Sequence, residues 1–182
     1  MMPENPTDPP LVADAPALPP LDGRWWRTLS PTPVRVHSLK GTLRIRPGAV
    51  FNDALTEAVH IPGFVEAVDL AALARSHETE HIGIIRPGEL GDVLVALAAC
   101  RWLRRALPHL KTVALHCNAQ FHPVLCCQNE VTIEERHVPT TKLEYLAVDF
   151  TMYFEQDHKP GGARIPRLDR VLRTFGFDPP YG

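Results

Sequence analysis

Residues 81–108 read HIGIIRPGELGDVLVALAACRWLRRALP, and this stretch decides the fold class. The run from His81 to Arg86 is short and rich in β-branched residues, as a buried parallel strand requires. Pro87 to Asp92 forms a tight loop. Val93, Ala96, Leu97, Cys100, Leu103 and Leu107 then recur at helical spacings, with Arg101, Arg104 and Arg105 on the other side. This pattern predicts an amphipathic helix from Asp92 to Leu107, stopped by Pro108. Further along, Lys111–Cys117, Val131–Ile133 and Leu143–Phe150 read as strands, Gln120–Cys127 as a short helix, and Arg167–Phe175 as a helix ended by Gly176. The alternation predicts an α/β layer over residues 77–182, a parallel sheet with flanking helices.

Upstream the texture changes twice. Residues 34–76 predict a small β-plus-α module. Val34–Leu39 and Thr42–Arg46 alternate apolar and polar about a Lys40-Gly41 turn, and Gly63–Arg75 reads as a helix. Residues 1–33 hold nine of the 19 prolines and no Lys or Arg before Arg24. Proline fixes its own φ and restricts its predecessor, so an extended, flexible leader is expected. The Trp25-Trp26 pair at its end buries enough apolar surface to anchor on the body of the protein.

The whole chain has 182 residues, 45% hydrophobic and 22% charged, with a formal net charge of −2. No basic excess exists to hold a phosphate backbone, which argues against nucleic-acid binding. The stretch Val93–Cys100 is too short to span a bilayer, and the first residues lack a secretory pattern. A cytoplasmic protein with reduced thiols at its four cysteines is expected.

In an open parallel sheet, ligands bind at the carboxyl ends of strands, where loops lead into helices. The loop Arg86–Asp92 has that position. Gly88 and Gly91 permit a sharp turn and close approach of a ligand, and the helix behind offers free N–H groups to an anion. Asp92 at the helix mouth has two readings. Its carboxylate caps the helix, or it takes a proton from an attacking hydroxyl as a general base. The loop has neither a Walker ending nor a G-x-G-x-x-G fingerprint, so nucleotide binding by those routes is excluded.

The stretch from Ile82 to Pro108 resembles the opening of glycosyltransferase family 9, the ADP-heptose:lipopolysaccharide heptosyltransferases. Those proteins begin with a strand, an Arg or Lys, a Gly-x-x-Gly-Asp-Val-Leu-type turn, and a helix ending in Leu-Arg-Arg and Pro. Thr112–Leu125, Val148-Asp149-Phe150, Glu155 to His158, Arg167 to Arg170 and Phe175-Gly176 continue the likeness more weakly, to about Phe177. The resemblance implies the N-terminal half of a GT-B fold, a Rossmann-like domain that receives the sugar acceptor. It implies an inverting transfer that uses no metal or other cofactor. Asp92 would be the catalytic base. Arg86, Gly88, Glu89 and Gly91 would line the acceptor side or contact phosphate. By the expected topology, Glu155 and His158 follow a strand end that leads to the same cleft as Asp92. The implied ligands are a sugar or sugar-phosphate acceptor and a nucleotide-sugar. The donor is held in that family by a second Rossmann-like domain, so a second domain, partner chain or homo-oligomer is expected to supply it. Pro166 stands where family members often carry His.

Other signals carry less. His77-Glu-Thr-Glu-His81 matches H-E-x-x-H, but its second His opens a strand instead of sharing a helix face. His116, Cys117, His122, Cys126 and Cys127 lie close in sequence without a C-x-x-C pair, and buried small side chains explain Cys100 and Cys117. The three arginines of the 92–107 helix read as its solvated face. A reading from another class remains beside the transferase: a non-catalytic Rossmann-like binding or assembly module, as in a multi-subunit or virus-associated structural protein. The leader, Trp pair and β module would then be its working surfaces.

Overall fold

The computed structural model describes residues 23–38, 41–53, 63–126, 129–135, 144–151, 153 and 167–178. The elements in order are strands β1 (Trp25–Thr28), β2 (Val34–Ser38), β3 (Gly41–Ile45), β4 (Val50–Asn52) and β5 (Val65–Val68), then helix α1 (Leu70–Arg75). Strand β6 (His81–Ile85), helix α2 (Leu90–Ala106) and strand β7 (Thr112–His116) follow. A 3-10 turn at Ala119–Phe121 leads into α3 (His122–Leu125), β8 (Thr132–Glu134), β9 (Tyr145–Asp149) and α4 (Arg167–Thr174). Seven strands form one sheet in the order β5-β1-β4-β9-β6-β7-β8, and β2 pairs with β3 alone. From β4 to β8 every pairing is parallel, while β1 runs antiparallel to β4 and β5. The chain is thus α/β with a mostly parallel sheet.

The sheet's period of two sorts its residues between two cores. Ile82, Ile84, Val113, Leu115, Leu146 and Val148 pack with Leu70 and Ala74 of α1, the apolar stripe of α2, and Val171 and Leu172 of α4. Ile85, Ala147 and Phe51 belong to the other cluster, with Val34, Val36 and Ile45 of the β2–β3 hairpin. Helices cover one face and a hairpin packs on the other.

The sheet crosses the boundary drawn at residue 76. Strands β1, β4 and β5 from the upstream region extend it, and Val50 and Phe51 pair with Val148 and Asp149. The helix expected over Gly63–Arg75 is half strand. Val65–Val68 pairs with Thr28–Trp25, and the helix begins only after Asp69, whose Oδ1 accepts from Ala72 N at 3.0 Å. A strand of four residues leaves no periodicity long enough to separate from a helix. Adjacent positions on β1 face opposite sides, so the two tryptophans part. Trp25 packs against the rings of Phe150 and Tyr153 at 5.4 and 5.3 Å, and Trp26 Nε1 donates to Asp53 Oδ2 at 2.7 Å. Of the flexible leader expected over residues 1–33, residues 1–22 lie outside the described residues, while residues 25–28 are instead β1, held in the sheet between β5 and β4.

A buried polar contact crosses the hairpin side of the sheet. His116 at the end of β7 is fully buried, and its Nε2 lies 2.7 Å from the Tyr145 hydroxyl on β9. Gly83 on β6 lies between them, and a Cβ there would meet the hydroxyl at 2.4 Å and Nε2 at 2.7 Å. Burial holds His116 below the ordinary imidazole range, with Arg46 adding to this and Glu134 and the Glu135 carbonyl opposing it. Burial raises the Tyr145 hydroxyl, so it stays protonated. The Glu135 carbonyl 3.5 Å from Nδ1 can only accept, which leaves Nε2 of the neutral ring to accept from the Tyr145 O–H. The unfolded chain then takes up a proton near pH ~6.5 that the folded ring resists. This stabilising contribution is full above that pH and is lost as pH falls towards the lowered folded value. Denaturant midpoints below pH ~6.5 should fall less steeply in His116→Gln than in the wild type. Parallel slopes would contradict the assignment.

Candidate functional site

Strand β6 feeds β7 and then β8 on one side, and the chain returns to place β9 on β6's other side. The carboxyl ends of β6 and β9 therefore flank the point where strand order reverses, the usual ligand position in open α/β sheets. Arg86 follows β6 directly. Its guanidinium donates through Nη1 to the Thr151 carbonyl at 3.1 Å and through Nη2 to Asp92 Oδ2. Thr151 follows β9, where its own N–H is held by Asp149 Oδ1 at 2.9 Å. The other Asp92 oxygen, Oδ1, accepts from Nη1 of Arg167, the first residue of α4. One carboxylate thus ties together the ends of β6 and β9 and the first turns of α2 and α4.

The capping reading of Asp92 does not hold. Helix α2 starts at Leu90, two residues earlier than expected, with Glu89 at the cap position and no side-chain bond to the cap. Asp92 sits in the first turn, and both of its oxygens take guanidinium donors. A negative charge there still favours the helix through its dipole. Glu89 is exposed and contributes its carbonyl to Val93 N at 3.1 Å.

The two glycines serve different purposes from the turn expected of them, and neither has a positive φ. At Gly88 a Cβ would lie 2.6 Å from Nη2 of Arg86, so the missing side chain is the slot in which the guanidinium lies. Gly91 is helical and exposed, and a Cβ would meet nothing within 4 Å. Gly91→Ala should therefore stabilise the chain by about 0.5–1 kcal/mol, seen as a raised thermal midpoint. A lowered midpoint would show that α2 needs glycine there for its own packing. Asn118, after β7, closes the loop from the side by donating to the Pro87 carbonyl at 2.5 Å.

Of the residues expected at the site, Arg86, Gly88, Glu89, Gly91 and Asp92 share this loop and helix start. Glu155 and His158 lie outside the described residues. Arg167, Thr151 and Asn118 were not singled out by sequence. Arg167 alone left a trace, as an Arg placed at the start of a helix, where the dipole disfavours a cation. The H-E-x-x-H residues separate. His77 lies against the His109 ring at 5.2 Å, while His81 faces Tyr145 and has Nδ1 2.7 Å from Thr112 Oγ1. Cys100 and Cys117 are buried, and burial raises both thiols. Arg104 is not a free surface charge, since it donates to the Leu110 carbonyl at 2.6 Å. An open groove of about 510 Å³, lined by Arg104, Lys111, His122 and Thr132 among others, lies towards the amino ends of β7 and β8. It is at the other end of the strands from Asp92.

No family model, curated protein or solved structure matches the chain. Among the described residues no helix is long and apolar enough to cross a membrane.

Proposed function

We propose that this chain is a sugar-acceptor domain of a glycosyltransferase of the heptosyltransferase type, with Asp92 as the base towards the acceptor hydroxyl. The observation that carries the reading is the placement of Asp92. Its carboxylate is released from capping and held at the carboxyl ends of β6 and β9 by two arginines. The strand order β8-β7-β6-β9-β4 supports a Rossmann-like half of a GT-B fold. The donor nucleotide-sugar would be held by a second domain, in a partner chain or another copy.

A different observation favours the assembly module. Leu90 and Leu94 are exposed at 36% and 46% on the solvent side of α2, next to the same loop, as a docking surface would place them.

The two readings separate in a thermal-shift panel of sugar phosphates, nucleotide-sugars and free nucleotides. A ligand at a hundred times its dissociation constant adds about 2.7 kcal/mol, a shift of several degrees. The transferase reading expects a shift with sugar phosphates. No shift with any of the panel would overturn it in favour of the module.

A further inference from the structure

We propose that Arg167 is a positioning residue for Asp92, fixing the carboxylate's Oδ1 from the first turn of α4 while Arg86 fixes Oδ2. This rests on the reading of Asp92 as the base. The two arginines are held differently. The Arg86 side chain is 3% exposed, lies in the slot left by Gly88, and is bonded to the Thr151 carbonyl. The Arg167 side chain is 38% exposed and comes from a helix 75 residues further along the chain.

One anchor on one oxygen leaves a carboxylate free to turn about its own axis, whereas two anchors on different oxygens set its plane. A reacting group has to be held within roughly 0.5 Å and 10–20° of the productive geometry. Arg167 directs its charge at Asp92. A carboxylate has about four lone-pair sites, so the two guanidinium bonds leave acceptor sites on both oxygens. In the transfer, the hydroxyl proton passes to such a site as the oxygen bonds to the anomeric carbon. The nucleotide leaves with the electrons of the broken bond.

The test uses the full chain with Arg167→Gln and Arg167→Lys, in two measurements. Sugar transfer from a nucleotide-sugar to the sugar phosphate found by thermal shift should lose on the order of a hundred-fold in kcat in the Gln variant, with KM unchanged. The Lys variant, which still offers a donor and a charge, should recover most of the loss. A Gln variant with wild-type kcat, or with a raised KM and unchanged kcat, would overturn the proposal. Independently of turnover, a denaturation cycle of Arg167→Gln, Asp92→Asn and the double variant should be non-additive, and simple additivity would overturn the contact itself. A wild-type chain that binds no sugar phosphate, beside an intact coupling, would instead overturn the transferase reading and with it the catalytic purpose of the contact.

Discussion

Replacing Arg86 by Met should lower the unfolding free energy by about 3 kcal/mol, the lower end of what breaking a buried ion pair costs. Arg86 and Asp92 are 3% and 13% exposed, so water reaches little of the vacated place. Met fills much of the guanidinium's volume, but it leaves Asp92 Oδ2 and the Thr151 carbonyl without the donor they now share. Arg167 still faces Oδ1, which places the loss at the low end of the range. Urea unfolding of the two proteins measures this directly. A loss near zero would mean that the ion pair is solvated and the network does not hold the strand ends together. The same logic changes the meaning of Asp92→Asn. A cap would tolerate Asn, but here Asn puts a neutral amide where Arg86 and Arg167 each meet a carboxylate oxygen, so the variant should be less stable than the wild type. Any effect of that variant in a transfer assay therefore has to be read against the loss of stability.

Gly83→Val should cost about 2–3 kcal/mol, the upper part of the range for overpacking a filled core. Valine is otherwise favoured in the middle of a strand, so propensity alone gives the opposite sign. The sterics decide it, because the space over Gly83 is filled by the Tyr145 hydroxyl and His116 Nε2. The added side chain separates that pair and leaves a fully buried imidazole without its donor. Unfolding of Gly83→Val beside Gly83→Ala should show both destabilised and Val more so. A stabilised Val variant would contradict the contact.

Those two substitutions also mark how far the residues alone could be read. The strand β6 and helix α2 were legible because each carries its own periodicity: a β-branched run, then an apolar stripe seventeen residues long. Strands β7 and β9 and helix α4 were legible for the same reason. Strands β1, β4 and β5 were not. Each has three or four residues, and Val50–Asn52 is a strand only because β9 and β1 lie on either side of it. Membership of one sheet is a long-range property, so a module boundary drawn from local texture at residue 76 fell inside it. At the site, Arg86 and Asp92 were found because they share one loop. Their partner Arg167 lies 75 residues from Asp92, and no spacing rule joins them. Gly88 was marked for the right loop with a different purpose, since backbone freedom and room for a neighbour's side chain leave the same letter in the sequence.

The proposed acceptor site lies at the carboxyl ends of β6 and β9. Backbone amide NMR during titration with the sugar phosphate that raises the thermal midpoint tests this most directly. The largest shift changes should fall at Arg86, Gly88, Leu90 to Asp92, Thr151 and Arg167. Changes centred instead on Lys111, Thr112, His122 and Thr132, in the groove at the other end of the strands, would contradict it.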